Sequence, residues 1–371
     1  MKKNWEIKKL GEVCDVLDNI RKPITKRDRI EGDYPYYGAT GILSYVHKFI
    51  FSEKLVLIGE DGAKWNSGDN TSFIATGEYW VNNHAHVIRP HRNTIIDEWI
   101  VYFLNYSDLT PFITGMTVPK LNQEKMRSIQ IPLPPLPEQQ RIVAILDQAF
   151  AAINQAKTNA EQNLKNTKEL FESELQRVFE NGKLKVENEK WDKKKLGECF
   201  KLKSGNMLSA KMMNEGNIPV YGGNGISGYH NVSNLQGENV IVGRVGALCG
   251  NVRCVNEDIW LTDNAFLITD YKFDFNKSFL TYLLNFKNLR NYARQAAQPV
   301  ISNSSLNAME ISFPKSIQEQ QHIVRQLDAL REKTQTLVAV YQKKIANLEE
   351  LKKSILQKAF AGELTEKEIA E

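Results

Sequence analysis

The feature that most constrains this chain is a long segment that occurs twice. Residues 134–179 open with Pro134-Pro135-Leu136-Pro137-Glu138-Gln139-Gln140 and then run without proline or glycine. The prolines make a stiff opening that has to end before a helix can propagate. Apolar or small residues then recur at Ile142, Leu146, Ala149, Ile153, Ala156, Ala160, Leu164 and Thr167. Steps of four and three are the seam of a coiled coil, not the alternation of a strand. About 40 residues at roughly 1.5 Å each make a rod of about 60 Å, and a rod with one apolar stripe needs a cover.

The cover lies in the same chain. Ser316-Ile317-Gln318-Glu319-Gln320-Gln321 opens a second such stretch, with seam positions Ile323, Leu327, Leu330, Thr334, Leu337, Tyr341, Ile345 and Leu348. Each stands 181 residues after its counterpart, without a gap, and Phe360 answers Phe179 at the same offset. The first seam is rich in small residues (Ala149, Ala156, Ala160) and the second in large ones (Leu330, Leu337, Tyr341), so the two complement each other in volume. Two equal rods packed on each other are expected. Two unrelated amphipathic helices, each on its own domain, would leave the matched offset and length without a reason.

The duplication extends beyond the rods. Trp5-Glu6-Ile7-Lys8-Lys9-Leu10-Gly11-Glu12 returns as Trp191-Asp192-Lys193-Lys194-Lys195-Leu196-Gly197-Glu198. Tyr36-Tyr37-Gly38 returns as Val220-Tyr221-Gly222, Gly59-Glu60-Asp61-Gly62-Ala63 as Gly243-Arg244-Val245-Gly246-Ala247, and Trp80-Val81-Asn82-Asn83-His84-Ala85 as Trp260-Leu261-Thr262-Asp263-Asn264-Ala265. Within each globular half, short apolar runs alternate with Gly/Asn turns, the pattern of a small sheet. Helical patterns appear only near residues 97–112 and 277–293. Each half is therefore a mixed α+β domain. Two similar modules on a stiff spacer suit a linear, bipartite target, and in DNA the separation of half-sites is a geometric quantity.

Composition narrows the function without naming it. A hydrophobic fraction of 42% and a charged fraction of 25% are ordinary for a globular protein, and a net charge of +4 permits a nucleic-acid partner without requiring one. The first residues lack the apolar core of a signal peptide, no run reaches membrane-span length, and four cysteines suit a reducing compartment, so a cytoplasmic location is expected. Cys249 and Cys254 have no second pair at metal-ligand spacing, and no metal site is expected. No phosphate-cradling loop, dinucleotide fingerprint or nucleophilic triad stands out, and the chain reads as non-catalytic.

The run Pro134-Pro135-Leu136-Pro137-Glu138-Gln139-Gln140-Arg141-Ile142 resembles the start of the first conserved helical region in specificity subunits of type I restriction–modification systems. The second copy resembles the corresponding second start, with Lys315 and Ser316 where the first has Pro134 and Pro135. The Trp-x-x-x-x-Leu-Gly-Glu openings and the Gly-x-Val-Gly-Ala turn are similar to such subunits too. The resemblance implies an α+β protein in which two pseudo-symmetric target-recognition domains, each a small twisted sheet plus helices, are separated by an antiparallel two-helix coiled coil. Residues 1–137 and 191–317 would be the recognition domains, 138–180 and 318–362 the helices, 181–190 a linker and 363–371 a tail. It further implies binding of double-stranded DNA at a split sequence whose spacer the helices set. Its partners would be two modification subunits, which carry S-adenosylmethionine and flip the target adenine, and ATP-dependent restriction subunits. This chain itself would bind no cofactor. A self-contained DNA methyltransferase, or a coiled-coil scaffold with two protein-binding modules, are the alternatives.

Base and phosphate contacts need amides, hydroxyls and cations on well-held loops. In the first copy the candidates are Lys64, Trp65 and Asn66 after the glycine turn, His84, and Lys120, Gln123 and Lys125 in the later loop. In the second they are Arg244 between two glycines, Asn251, Arg253, Gln298, Ser302 and Asn303. Trp65 has a core aromatic as its other reading. Gln139, Gln140, Arg141, Gln320 and Gln321, at the rod openings, either meet the modification subunits or tie each helix to its own globular half.

Overall fold

The computed structural model describes residues 5–180, 191–294 and 298–364. The linker expected at 181–190 and most of the expected tail lie outside the described residues. The chain forms two compact units, one of residues 1–162 with 342–371 and one of residues 163–341. Among the described residues no helix is long and apolar enough to cross a membrane.

The two units repeat one architecture. In the first, a four-stranded antiparallel sheet has the order Cys14–Val16, Ala85–Pro90, Leu55–Gly59, Ser72–Ala75. Leu55–Gly59 is an unbroken apolar run and every residue of it is buried, as a strand covered on both faces requires. A three-stranded sheet pairs Tyr34–Gly38 antiparallel with Gly41–Val46 and parallel with Trp80–Val81. Glu6–Lys9 pairs with Gln130–Leu133, which returns the chain to its start just before the long helix begins. The second unit has the order Lys201–Ser204, Ala265–Thr269, Asn239–Gly243, Val252–Val255, a three-stranded sheet around Ile218–Gly222, and the pair Asp192–Lys195 with Glu310–Phe313. Even the bulge recurs, at Tyr36/Tyr37 and at Val220/Tyr221.

The helices that cover these sheets are shorter than their sequence pattern suggests. Asp97–Tyr106 and Lys277–Phe286 each have ten residues, followed by 3₁₀ turns at Thr110–Phe112 and Leu289–Tyr292. Pro111 cannot continue the first helix. In the second, Asn288 takes a left-handed backbone at φ 49° and ends the run.

The long helices run Leu136–Phe179 and Ile317–Ala361, 44 and 45 residues. Pro137 stands in the first turn, where a missing N–H costs nothing. The start of the first helix packs beside the end of the second in one unit, and the end of the first beside the start of the second in the other, so the pair is antiparallel. The seam is buried or half-buried at Ile142, Leu146, Ala149, Ile153, Ala160 and Thr167, and at Ile323, Leu327, Leu330, Thr334 and Tyr341. Leu337 departs from expectation. It is 40% exposed, and Val338 takes the inward place, because the inward face there has advanced by four residues from Thr334 rather than three.

Each helix start is pinned to its own globular half by matching bonds. The indole N–H of Trp5 donates to Glu138 at 3.3 Å, and that of Trp191 to Glu319 at 3.0 Å. Tyr102 donates its phenol to Asp147 and Tyr282 to Asp328, and burial with the acidic acceptor pushes both phenols up. The far ends carry the aromatic anchors. Phe360 sits among Trp99, Phe103 and Tyr106, with ring centroids 5.0–5.4 Å away. Phe179 sits between Phe279 and Phe286 at 5.7 and 5.3 Å.

Candidate nucleic-acid interface

In the first unit three separate loops meet beyond the end of the buried strand Leu55–Gly59. Glu60 donates its N–H to the His84 carbonyl at 2.9 Å, Leu121 donates to the Glu60 carbonyl at 2.7 Å, and Asp61 bridges to Lys120. The glycine turn, the turn before Ala85–Pro90 and the loop before the short helix Gln123–Arg127 thus share one backbone frame.

Charge is concentrated on that frame. Arg21 pairs with Glu60 and, at 3.4 Å, with Asp18, and donates to the Ala85 carbonyl at 2.8 Å. The His86 ring is fully buried, with Nδ1 2.6 Å from the Asp18 carboxylate and Nε2 2.6 Å from the Leu121 carbonyl. Both nitrogens face oxygen acceptors, which fixes the orientation of the ring. Lys120 reaches Glu60 at 2.6 Å, Gln123 donates to Asp18 at 3.0 Å, and His84 pairs with Asp61. Burial works against the Asp18 charge, but the hydrogen bond and charge of His86, the Val87 N–H and Arg21 outweigh it and hold the carboxyl below its usual range. The ligand atoms of Asp18, Glu60 and His86 lie within 4.8 Å of one another, spacing that could suit a metal ion. Their atoms are committed to each other and to Arg21 and Lys120, so the group is a self-satisfied ion network that locks the Lys120–Gln123 loop to the sheet.

The second unit builds the same frame with other side chains. Arg244 donates its N–H to the Asn264 carbonyl at 3.0 Å, Ile301 donates to the Arg244 carbonyl at 2.9 Å, and Val245 bridges to Val300. Phe266 holds the register place of His86, opposite Val242 as His86 is opposite Ile58. The Arg244 guanidinium is half-buried. It donates to the Asp263 carbonyl at 3.2 Å and lies 5.3 Å over the Phe266 ring, and its Nε is buried without a partner among the described residues.

The sequence candidates therefore divide. His84, Lys120 and Gln123 converge on the first frame, and Arg244 and Gln298 on the second. Lys64, Asn66 and Lys125 are exposed nearby, Asn66 holding Asp69. Asn251 and Arg253 line a different cleft of about 500 Å³ with Asn285, Asp328 and Arg331, although the Arg253 guanidinium also comes close to Gly225. Ser302 caps the helix Asn303–Asn307, and Asn303 donates to the Leu202 carbonyl at 2.8 Å.

Three expectations need correction. Trp65 is 9% exposed and its indole N–H donates to the Gly59 carbonyl at 3.2 Å, so it packs beneath the turn rather than facing a ligand. Gln139 and Gln320 are fully buried and do not offer a surface to another subunit. Gln139 donates to the Thr94 and Pro134 carbonyls and accepts the Ile96 N–H, and Gln320 does the same with Asp274, Pro314 and Asn276. Gln140 and Gln321 remain exposed, and Arg141 reaches the Leu364 carbonyl at 3.5 Å. Sequence reasoning passed over Asp18, Arg21, Glu60 and Asp61. A carboxylate directly after a five-residue apolar run was the available signal for Glu60.

The sequence model described as type I restriction modification DNA specificity domain matches residues 2–164 and again 188–349. A putative type I restriction enzyme specificity subunit, S.HindORF215P of Haemophilus influenzae, is 38% identical over 143 residues, 38% of this chain and 36% of the relative. The type I restriction enzyme EcoprrI specificity subunit of Escherichia coli is 32% identical over 153 residues, 40% of this chain and 38% of the relative. These matches span well under half the length of either relative. The putative type I restriction enzyme MjaX specificity subunit of Methanocaldococcus jannaschii aligns over 97% of this chain and 94% of its own length at 22% identity. Among solved structures, the HsdS subunit from Thermoanaerobacter tengcongensis is similar with a TM-score of 0.61 and 20% identity, covering 98% of both chains. A chain solved in work on complex assembly and conformational transition of the type I R-M system has a TM-score of 0.73 at 20% identity, covering 98% of this chain and 99% of that one. At that identity the likeness is one of fold.

Proposed function

The chain belongs to the type I restriction–modification DNA specificity family, and from that premise we propose that it is the subunit that reads a split DNA sequence for such an enzyme. Each unit reads one half-site with the loops gathered on its frame. The long helices fix the number of base pairs between the halves. Two modification subunits dock on this chain and supply S-adenosylmethionine and base flipping, and restriction subunits supply the ATP-driven step. The chain itself makes and breaks no bond.

One observation carries this reading: the same three-loop frame is built twice and carries different chemistry each time. Glu60, Asp61, His84 and Lys120 in one unit stand where Arg244, Val245, Asn264 and Val300 stand in the other. A duplicated structural element would keep its side chains alike, whereas a reader of two unlike half-sites must diverge there and hold its backbone fixed.

The test is a replacement of residues 1–137 by the matching segment of a relative, in the complete complex, followed by methylation mapping of genomic DNA. One half of the modified sequence is expected to change and the other to persist. An unchanged target, or loss of both halves with the complex intact, would overturn the proposal.

A further inference from the structure

The second unit has an open cleft of about 410 Å³. Gly222 lies on its lining, and Asn224, Asn264 and Gln298 bring three carboxamides to it. Among the described residues that line it there is no Lys, Arg, Asp or Glu. The Asn224 oxygen accepts the Leu248 N–H at 2.9 Å, which orients its amide. Asn264 and Gln298 are exposed, and their side chains have no hydrogen-bond partner among the described residues.

The two adjacent glycines on the lining have different surroundings. A Cβ at Gly223 would meet the Val245 carbonyl at 1.9 Å, so no side chain can stand there. At Gly222 a Cβ would meet only the Thr262 and Ser227 hydroxyls, at 3.5 and 3.9 Å. Both belong to the cleft lining. A side chain at 222 is therefore tolerated by the fold and would project into the cleft.

The lining chemistry selects the ligand. The lining carries three carboxamides and no cation of its own, the one guanidinium close to it being that of Arg253 beside Gly225, so amide chemistry rather than a phosphate grip dominates the cleft. A carboxamide offers one donor and one acceptor side by side, the complement of the N6 donor and N7 acceptor on the major-groove edge of adenine. The same position in the first unit carries other chemistry, with His84 in the place of Asn264 and the ion-paired Lys120 in the place of Val300. Resting on the function proposed above, we infer that the cleft at Gly222, Asn264 and Gln298 reads the adenine of an A·T pair in the second half-site.

The test uses the complete complex with its modification subunits. Methylation mapping of the unaltered protein is expected to show, in the half-site assigned to the second unit by domain exchange, a fixed A·T pair other than the one that carries the modified adenine, and its absence would overturn the inference. Asn264→Asp and Gln298→Glu keep shape but trade a donor for an acceptor. Each is expected to weaken binding of the cognate duplex roughly ten- to a hundredfold and to move preference at that pair toward C·G, with the first half-site unchanged. Gly222→Ala, which adds a methyl to the cleft lining without touching the amides, is expected to weaken the same discrimination. Cognate binding within twofold for all three variants would overturn the cleft assignment while leaving the function standing. If instead the unaltered complex modifies no bipartite target, the functional reading itself fails. Titration of the chain with ATP and with S-adenosylmethionine separates a free nucleotide from a DNA base. Saturable binding that Gly222→Ala abolishes would make the cleft a nucleotide site and overturn the inference, and no binding is expected.

Discussion

Gln139→Ala is the sharpest perturbation of the helix-to-domain junction. The side chain is fully buried and makes three hydrogen bonds to the backbone, at 3.1 Å from the Ile96 N–H and at 2.9 and 2.8 Å to the Thr94 and Pro134 carbonyls. Truncation removes all three and leaves the half-buried Ile96 N–H and the Thr94 and Pro134 carbonyls without these partners. At about 1 kcal/mol for each bond the loss is about 3 kcal/mol, and the stranded donor keeps it from being less than about 2. A loss of about 3 kcal/mol changes the unfolding constant by roughly two powers of ten. With a urea dependence of about 1–3 kcal/mol per molar, the midpoint falls by roughly 1–3 M. Urea titration of the full chain followed by tryptophan fluorescence reads this directly, since Trp5 and Trp99 lie at the same junction. Gln140→Ala, one residue on and exposed, is the control and should shift stability by less than about 0.5 kcal/mol. If Gln139→Ala kept full stability but lost the modification subunits, the side chain would be a partner contact after all, and the burial argument would be refuted.

Other outcomes follow from the same geometry. Phe360→Ala, which empties the space among Trp99, Phe103 and Tyr106, should cost about 3–5 kcal/mol in urea titration. Phe179→Ala should do the same for the second unit, and a cost under 1 kcal/mol for either would show that the helix ends are not anchored. The Asp18 carboxyl is held low, so it contributes stability above the ordinary carboxylate pKa of about 3.9 that is lost as pH falls through its lower folded value. Asp18→Asn should therefore be less stable at pH 7 and show a flatter acid profile, measured as urea midpoints between pH 3 and 7. Burial pushes the Cys14 thiol up to about 12, and iodoacetamide at pH 8 should label it only in denaturant. Adding one helical turn to both long helices, about 5.4 Å, should lengthen the DNA spacer by one or two base pairs, and methylation mapping reads the result.

The scaffold was legible because its signals are periodic and duplicated. A seam repeating over 40-odd residues and a constant offset need no knowledge of distant contacts. The finer seam was not legible: Leu337 and Val338 are both apolar, and only packing decides which turns inward. The loops were found as stretches but not always as residues. Trp65 follows a glycine turn, as a ligand-facing aromatic could, yet the space beneath the turn claims it. The ion network escaped notice because its members are far apart in sequence. Arg21 meets Glu60 across 39 residues and Gln123 meets Asp18 across 105, and no local pattern encodes such a meeting. For Gln139 and Gln320 the motif leaves two readings open, a partner surface or a tie to the globular half, and only their burial and backbone bonds decide for the tie.

The paired helices carry an asymmetry with a consequence for how such genes can recombine. In the first unit Lys352 of the second helix lies 5.2 Å over the ring of Phe150 on the first, and in the second unit Arg331 of the second helix lies 5.7 Å over the ring of Phe171 on the first. Rings belong to one helix and cations to the other at both points. By the 181-residue offset, a first helix paired with its own likeness would set ring against ring, and a second helix with its own likeness would set Arg331 against Lys352. The two copies have become lock and key. A front half imported from a relative keeps that fit when its helix brings aromatic residues to these two places, and shuffling that ignores them yields a mismatched hinge however good its DNA reader is.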